Sequence, residues 1–301
     1  MKRGTPSLKS SRESYYKNYL NKSIGNNLRN DNINIDIDSD KLYVISCVCQ
    51  DTYIRIQEKS FKNHIKIPYE FIIFNDAKRW PDYTNFGDSS MYDKIKKTCE
   101  ELSIKCIDID NRHHRILQSA SHRHCDSLRA IMKVVKNHKA RFWIIDSDMW
   151  CVGDITEGEF DKYFEGDGSF VYQERDNMVY AWPNLWFIDT RRVDVSELNW
   201  DIYPKCDSGG MTQFWLKNRS VNWIPYFRST VWGIEDMKNL SESIRFLENF
   251  LLNDPRNVNN KFWAELFNSH IFHIRAGSNW NGEGIRIHRI VHNLAKSIFQ
   301  I

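Results

Sequence analysis

Residues 140–154 read Ala-Arg-Phe-Trp-Ile-Ile-Asp-Ser-Asp-Met-Trp-Cys-Val-Gly-Asp. The apolar run of residues 142–145 is short, continuous and rich in aromatic and β-branched side chains, which predicts a strand buried on both faces. It ends abruptly at Asp146 and Asp148. Two carboxylates at the end of a buried strand are costly unless positive charge compensates them. The pattern therefore predicts a divalent-cation site, because carboxylate oxygens are suitable ligands for Mg²⁺ or Mn²⁺.

The same Asp-x-Asp spacing recurs elsewhere in the chain. Residues 36–38 and 38–40 lie in a polar run with no strand before it, so we interpret them as solvated. Residues 108–110 are a more serious alternative for the metal site, because residues 106–107 could end a strand. The pair at 146–148 is preferred because its strand is stronger and a helix-length segment precedes it, as a βαβ unit requires. A strand-end turn with solvated acids is the alternative interpretation.

Composition indicates a soluble globular protein with one large domain or two small ones. The 301 residues are 41% hydrophobic and 14% aromatic, which is enough for a substantial core. A net charge of +3 is too balanced to favour binding to nucleic acid or a membrane surface. The seven cysteines include no Cys-x-x-Cys pair, and no segment resembles a membrane span or a signal peptide. We therefore expect a cytoplasmic protein in a reducing compartment.

Strands alternate with helices through the first half of the chain. The predicted strands cover residues 42–49, 69–74, 104–109 and 142–145, and the predicted helices end near residues 63, 102 and 138. This order predicts an α/β fold with a mostly parallel sheet. Residues 1–40 are polar and are interpreted as a flexible arm or a partly docked tail, with the folded domain beginning near Lys41. Ligands of open α/β sheets bind beyond the carboxyl ends of the strands, where Cys49, Gln50, Asp76 and the acid pair would meet.

The second half is rich in aromatic residues. Its predicted strands cover residues 169–173, 180–188 and 222–226, and its predicted helices cover residues 213–216, 244–252 and 285–298. Residues 206–210 (Cys-Asp-Ser-Gly-Gly) precede the first of these helices, and the paired glycines allow either close backbone approach to a ligand or a tight turn. Residues 272–280 (Phe-His-Ile-Arg-Ala-Gly-Ser-Asn-Trp) hold a histidine in an apolar run, which is either a buried core residue or a metal ligand.

The order of these pieces resembles the metal-dependent glycosyltransferases of the GT-A fold, whose Asp-x-Asp motif binds a metal ion and a sugar nucleotide. The resemblance covers about residues 41–280. It implies a GT-A (Rossmann-like) mixed sheet with flanking helices. It also implies that residues 41–154 form the nucleotide-sugar-binding half and that residues 155–301 form the acceptor half and a C-terminal helix.

The resemblance further implies a set of site residues. Asp148 and His273 are expected to bind the metal, with Asp146 beside them on the ribose, the donor sugar or a metal-bound water. An imidazole ligand favours Mn²⁺ over Mg²⁺. The residues expected to bind the nucleotide-sugar are Cys49, Gln50, Asp76, His122, Asp126, Arg129, Asp146, Ser147, Arg275, Gly277, Ser278 and Asn279. The residues expected to bind the acceptor are Trp182, Trp186, Asp207, Gly209 and Trp232, with Asp207 as the catalytic base.

The expected activity is transfer of a sugar from a nucleotide-diphospho-sugar to a hydroxyl of a glycan, protein or small-molecule acceptor. Glu174, Asp176 and Glu235 are alternative bases, and the stereochemical outcome is left open. A phosphotransferase or nucleotidyltransferase with the same metal site, and a catalytically inactive sugar-binding module, are the alternative functions. The chain has no Gly-x-x-x-x-Gly-Lys loop and no Gly-x-Gly-x-x-Gly after residues 42–49, which disfavours P-loop kinases and dinucleotide oxidoreductases.

Overall fold

The computed structural model describes residues 35–109, 120–227, 245, 247–256, 263–275 and 284–300. Its strands are β1 (Leu42–Val48), β2 (Tyr69–Asn75), β3 (Lys105–Asp108), β4 (Arg141–Asp146), β5 (Met149–Cys151), β6 (Ser169–Arg175), β7 (Met178–Asp189), β8 (Asn222–Trp223), β9 (Tyr226–Phe227), β10 (Ala264–Phe267) and β11 (Ile271–Ile274). Its helices are α1 (Thr52–His64), α2 (Met91–Glu101), α3 (Ala120–Asn137), α4 (Glu157–Tyr163), α5 (Thr212–Leu216), α6 (Glu248–Asn253) and α7 (Gly284–Phe299).

Seven strands form the main sheet in the order β3-β2-β1-β4-β7-β6-β8. β1 to β4 are parallel, whereas β7 runs antiparallel to both β4 and β6. Asp176 and Asn177 join β6 to β7 with φ angles of 49° and 65°, which the hairpin turns that match strand twist require. The α/β class predicted from the sequence is confirmed. The sheet is mixed and mostly parallel, and the acid pair follows β4, as expected for a GT-A-like fold.

A second, antiparallel sheet has the order β5-β11-β10-β9. β4 ends in the main sheet at Asp146, and β5 begins in the second sheet at Met149, so only Ser147 and Asp148 separate the two strands. β5 pairs with β11, where Met149 lies opposite His273. The acid pair therefore lies at the junction of the two sheets, next to the strand that carries the late histidine.

Helices cover both faces of the main sheet. Along β1, Val44 and Val48 belong to the core under α1 and α2, whereas Tyr43 and Ile45 belong to the core under α3. Both faces are buried, which explains why the central strands are continuously apolar instead of alternating. A third core joins the second sheet to α1 and α7.

Most predicted elements are present with boundaries shifted by a few residues. The predicted strand at residues 222–226 is two short strands, β8 and β9, which lie in different sheets. β5 and α4 were not predicted. α4 begins at a capping box in which Thr156 and Glu159 satisfy each other's backbone groups, a signature that is visible in the sequence.

The end of the predicted arm contacts the folded part of the chain. Ile35 is 3% exposed and packs in the core under α3, and Arg191 donates a hydrogen bond to the carbonyl of Ser39. Residues 35–39 therefore pack against the folded part of the chain, as a docked tail would. The rest of the predicted arm lies outside the described residues. No described helix has the length and apolar character needed to cross a membrane, and all seven cysteines are free.

Candidate metal centre and adjoining clefts

Three side chains converge at the junction of the two sheets. Asp146, Asp148 and His273 each offer a ligand atom, and these atoms all lie within 4.8 Å of one another. His273 Nε2 lies 3.4 Å from Asp148 Oδ1. Within the described part of the chain this is the one group of three potential metal ligands. The arrangement is a candidate metal centre, assembled from residues 125 positions apart in sequence.

Glu265 fixes the orientation of the imidazole. It lies opposite His273 in the β10–β11 pairing, and its Oε2 is 2.7 Å from His273 Nδ1. Nδ1–H donates to Glu265, which leaves Nε2 directed at Asp148. A carboxylate behind the histidine is the usual support of a metal-ligating imidazole. Burial disfavours the imidazolium, but Asp148 and Glu265 outweigh burial and raise the pKa of His273 to about 10.

The carboxylate of Asp146 is held by two donors. The amide N–H of Ser147 donates to Oδ1 over 2.8 Å, and Nδ2 of Asn184 donates to Oδ2. Burial and the nearby Asp148 raise the pKa of Asp146 to about 7, with His273 acting in the opposite direction. A divalent cation would offset the repulsion between these buried acids. Two carboxylates and one imidazole are a ligand set that suits Mn²⁺, so the residues present fit the predicted group.

α1 anchors the backbone around the acid pair. Gln57 Nε2 donates to the carbonyls of Asp146 and Met149, each over 2.8 Å. One turn further along, Ser60 Oγ accepts from Cys151 N–H and donates to the Cys151 carbonyl. The turn between β4 and β5 is therefore held against α1.

A cleft of about 310 Å³ opens at the carboxyl edge of the main sheet; we call it the sheet-edge cleft. Four of the predicted nucleotide-sugar residues line it: Cys49, Asp76, Asp146 and Ser147. Asp76 is 5% exposed and accepts a hydrogen bond from Ser127 Oγ over 3.1 Å. The predicted meeting of strand ends at one edge is therefore observed.

Gln50, which follows β1, was also predicted to bind the nucleotide. It is buried, and neither its amide nitrogen nor its amide oxygen has a hydrogen-bond partner among the described residues. It does not line the sheet-edge cleft.

α3 presents a different face from the one expected. His122, Asp126 and Arg129 recur at helical spacing, but none of them lines the cleft. Asp126 is fully buried and pairs with Arg129, which also bonds Asp201. Asp126 and Arg129 are therefore engaged in ion pairs within the protein. The neighbouring face lines the cleft instead, through Ala120, Ser121, Arg123, His124 and Ser127.

His124 is neutral at physiological pH. Burial lowers its pKa to about 4, although Asp207 and Asp76 act in the opposite direction. Its Nδ1 lies 3.1 Å from Ser208 Oγ, so α3 is joined to the loop that carries Asp207.

A second cleft of about 280 Å³ lies on the other side of Trp182; we call it the hairpin cleft. It is lined by Val171, Gln173, Glu174, Arg175, Tyr180, Trp182, Glu265, Phe267, His273 and Arg275. Gln173 and Trp182 line both clefts. Arg275, which was expected beside the donor diphosphate, lines the hairpin cleft and not the sheet-edge cleft. Gly277, Ser278 and Asn279 lie outside the described residues.

Two of the predicted acceptor residues face a cleft. Trp182 is half-buried between the clefts, with its ring centroid 5.5 Å from that of His273. Asp207 lines the sheet-edge cleft with 38% of its side chain exposed, bonds Ser121 Oγ, and lies 3.3 Å from Arg175 Nη2.

Trp186 and Gly209, which were also predicted to bind the acceptor, line neither cleft. Trp186 is fully buried and stacks on Trp200, with centroids 4.8 Å apart, so it is a core residue. Gly209 has φ +89°, and a Cβ there would lie 2.4 Å from the Ala181 carbonyl oxygen. The glycine is needed for packing against β7, which favours the tight-turn interpretation. Trp232 lies outside the described residues.

Of the alternative bases, Glu174 lines the hairpin cleft. Asp176 lies in the β6–β7 turn, 3.7 Å from Lys205. Glu235 lies outside the described residues.

Four polar residues at the centre were not predicted. Gln57, Asn184 and Glu265 each stand in an apolar helix face or strand, and such isolated polar residues are the one signal that the sequence carried for them. Gln173 lies in the polar end of β6, before Glu174 and Arg175, and carries no such signal. Asn184 faces Asp146 because β7 bulges between Trp182 and Trp186 opposite β6, and a bulge redirects side chains.

No protein-family profile and no curated protein sequence matches the chain. Solved structures with partial similarity include the bifunctional glycosyltransferase WbbM in its apo form, at TM-score 0.38 and 13% identity, over 64% of this chain and 40% of that one. Core-mannan synthase A (CmsA/Ktr4) from Aspergillus fumigatus, in a Mn/GDP form, aligns at TM-score 0.32 and 13% identity, over 53% of this chain and 62% of that one. A nucleoside-diphosphate-sugar pyrophosphorylase from Vibrio cholerae RC9 aligns at TM-score 0.30 and 10% identity, over 60% of this chain and 90% of that one.

The chain thus spans less than two thirds of the two transferases. At TM-scores this low, the description of the fold rests on the strand order given above.

Proposed function

We propose that this protein is a divalent-metal-dependent glycosyltransferase that moves a sugar from a nucleotide-diphospho-sugar to an acceptor hydroxyl. The observation that supports this most is the convergence of Asp146, Asp148 and His273, with Glu265 behind the imidazole. A bound Mn²⁺ or Mg²⁺ would supply Lewis-acid stabilisation of the negative charge that develops on the departing diphosphate. The buried carboxylates and the oriented imidazole would hold that cation at the carboxyl edge of the sheet, where α/β folds bind ligands.

On the donor side, we assign the nucleotide to the sheet-edge cleft. Cys49, Asp76 and Ser147 would contact it from the strand ends, and Arg123 and Ser127 from α3. Asp146 would orient the donor sugar, since its carboxylate is already fixed by two donors. In this proposal residues 41–154 form the donor half of the protein, and residues 155–301 form the acceptor half.

On the acceptor side, Asp207 would act as the base that receives the acceptor hydroxyl proton. It lines the same cleft as Asp146 and is solvent-accessible. Ser121 and Arg175 hold its two oxygens in place, which positions a carboxylate for proton transfer.

A screen of UDP- and GDP-sugars for Mn²⁺-dependent turnover tests the proposal. Wild-type protein should release nucleoside diphosphate from at least one donor, and Asp148→Asn should not. Asp108→Asn is the matched control, because Asp108 begins another Asp-x-Asp but lies on the surface with Lys96. Release of pyrophosphate would indicate a nucleotidyltransferase instead. Equal rates for wild type and Asp148→Asn would remove the metal centre from the mechanism.

A further inference from the structure

The hairpin cleft, like the sheet-edge cleft, reaches the candidate metal centre. It is lined by His273 and shares Gln173 and Trp182 with the sheet-edge cleft. If the nucleotide-sugar occupies the sheet-edge cleft, as proposed above, the hairpin cleft offers a second approach to the same centre. Its volume of about 280 Å³ can hold a small polar group such as one sugar ring.

Trp182, which lines both clefts, offers an aromatic surface on which a sugar can pack. Trp182 stacks on Phe267 with ring centroids 5.8 Å apart and planes at 17°. This contact fixes the orientation of the indole, whose surface is partly exposed between the two clefts. Aromatic rings bring a large apolar surface at little conformational cost, and the apolar face of a pyranose packs well on them.

Two guanidinium groups line the hairpin cleft. Arg175 is 43% exposed, and Arg275 is half-buried beside the ring of Trp263 at 5.4 Å. Among the described residues, Arg275 forms no ion pair with a carboxylate. Its backbone is fixed, because Arg256 donates to its carbonyl over 2.6 Å and Arg256 is itself buried in an ion pair with Asp254.

The carboxylates of the hairpin cleft already have partners. Glu265 accepts from His273 Nδ1 over 2.7 Å, and Glu174 accepts from Tyr172 Oη over 2.5 Å. Both carboxylates are therefore engaged with protein donors, whereas Arg275 forms no ion pair among the described residues and Arg175 shares one, at 3.3 Å, with Asp207. Arginine binds carboxylate and phosphate through paired N–H groups, which makes it the side chain of choice for such anions.

We infer that the hairpin cleft binds the acceptor, and that the acceptor carries an anionic group, a carboxylate or a phosphate, held by Arg175 and Arg275. This inference rests on the proposed function and specifies its acceptor. Asp207, the proposed base, lines the adjoining sheet-edge cleft, and Arg175 bonds it over 3.3 Å, so the acceptor hydroxyl would reach Asp207 where the two clefts adjoin. The residue that holds the anion is thereby coupled to the group that receives the hydroxyl proton.

The experiment compares matched acceptors with the donor that the screen identifies. Glucose, glucuronate and glucose 6-phosphate differ in the anion alone, and galactose with galacturonate forms a second pair. Transfer products are quantified by mass spectrometry. Wild type should use the anionic member at least about tenfold better in kcat/KM, the order of one charged hydrogen bond. Glucuronate and glucose 6-phosphate distinguish carboxylate from phosphate.

Variants of Arg175 and Arg275 test whether these residues cause the preference for anionic acceptors. Arg175→Gln and Arg275→Gln should each reduce the ratio of anionic to neutral transfer about tenfold or more. Arg55→Gln is the control, because Arg55 pairs with Glu101 on the surface and lines neither cleft. The ratio cancels any general loss of folded or metal-loaded enzyme. An unchanged ratio in both variants overturns the inference.

A binding measurement keeps this inference separate from the proposed function. Saturation-transfer NMR with Mg²⁺ and UDP or GDP present compares glucose 6-phosphate and glucuronate with glucose, without turnover. Selective binding of the anionic sugars, lost in Arg275→Gln, supports the cleft assignment even if no donor is consumed. Equal binding of neutral and anionic sugars overturns it. If Arg275→Gln weakens only the binding of the nucleoside diphosphate, Arg275 serves the donor and the inference also fails.

Discussion

His273 is held between two carboxylates, and this determines the chemistry of the candidate metal centre. Glu265 takes the Nδ1 proton, and Asp148 faces Nε2 at 3.4 Å. Asp148, His273 and Glu265 are buried and Asp146 is partly buried, so small changes in any of them should alter metal affinity.

Removing the charge of Glu265 should weaken metal binding without unfolding the protein. Glu265→Gln keeps the size of the side chain but loses the carboxylate that orients the imidazole and raises its basicity. We expect Mn²⁺ affinity to fall about 10- to 100-fold, the range for partners of metal-ligating histidines. Titration calorimetry measures it. Glu70→Gln, in a surface pair with Lys41, is the control, and equal affinity in the two variants would contradict the assigned role.

Metal affinity should rise with pH. The pKa of His273 is raised from 6.5 to about 10, so at neutral pH the metal-free imidazole is protonated and a cation must displace that proton. Apparent Mn²⁺ affinity should therefore increase about tenfold per pH unit between pH 7 and 9, and more steeply below 7, where Asp146 also takes up a proton. In the metal-free protein the same imidazolium stabilises the fold below pH 6.5, and this is lost as the pH rises through about 10.

Calorimetry in buffers of different ionisation enthalpy would count the protons released. A pH-independent affinity with no proton release would show that the cation, if any, binds elsewhere.

At this scale, the sequence indicated where charged residues follow apolar runs. It did not indicate which partner each polar side chain would reach. Asp146 and Asp148 stood out because they end a buried strand. Asn184 and Gln57 did not, because each is a single polar residue whose partner is distant in the chain. Their roles depend on a β-bulge and on the docking of α1, which no local pattern specifies.

At the scale of elements, α1 holds the turn between β4 and β5. Gln57 bonds the carbonyls on both sides of Asp148, while Ser60 bonds Cys151 at the end of β5. The two residues make similar buried hydrogen bonds, but Gln57 is bonded beside the acid pair and Ser60 at the far end of β5. Variants of the two can therefore distinguish a loss of stability from a loss of metal binding.

Gln57→Leu should lower the free energy of unfolding by about 1–3 kcal/mol, because two buried carbonyls lose their donor. It should also weaken Mn²⁺ binding, because the turn that presents Asp148 is released. Ser60→Ala should destabilise by a similar amount with little change in Mn²⁺ affinity. Urea denaturation and metal titration of both variants provide the comparison. Equal metal affinities in the two variants would contradict the positioning role.

The Gly209 turn offers a second test at this scale. Gly209→Ala should destabilise the fold by more than about 2 kcal/mol, because it combines a left-handed φ with a close approach to Ala181. Gly158→Ala in α4 is the matched control. A Cβ there meets no atom within 4 Å, and alanine favours a helix, so the change should be neutral or stabilising. Similar denaturation curves for the two variants would contradict the packing role.

Periodicity predicted the existence of elements better than it predicted their exposed faces. The apolar stripe of Leu128, Ile131 and Val135 packs in the core between α3 and the main sheet. The face of α3 that lines the cleft differs from the expected one, since His122 and Asp126 each lie one position along the chain from the lining residues Arg123 and Ser127. A helix turns 100° per residue, so a shift of one position exchanges a cleft residue for a buried one.

At the scale of the whole molecule, the candidate centre exists because the chain changes sheets at Asp148. The main sheet supplies Asp146, and the second sheet supplies His273 and Glu265 through β11 and β10. Alternation of strands and helices made the parallel half of the fold predictable. The second sheet was not predicted, because its strands are two to four residues long and pair with partners distant in sequence.

The central claim is that Asp148 and His273 bind one divalent cation where the two sheets meet. Crystals grown with Mn²⁺ and a nucleoside diphosphate, measured at the manganese absorption edge, test it most directly. We predict one anomalous peak about 2.1 Å from a carboxylate oxygen of Asp148 and from His273 Nε2, absent in Asp148→Asn crystals. A peak elsewhere, or the Asp148–His273 contact kept at 3.4 Å with no metal between them, would contradict the account.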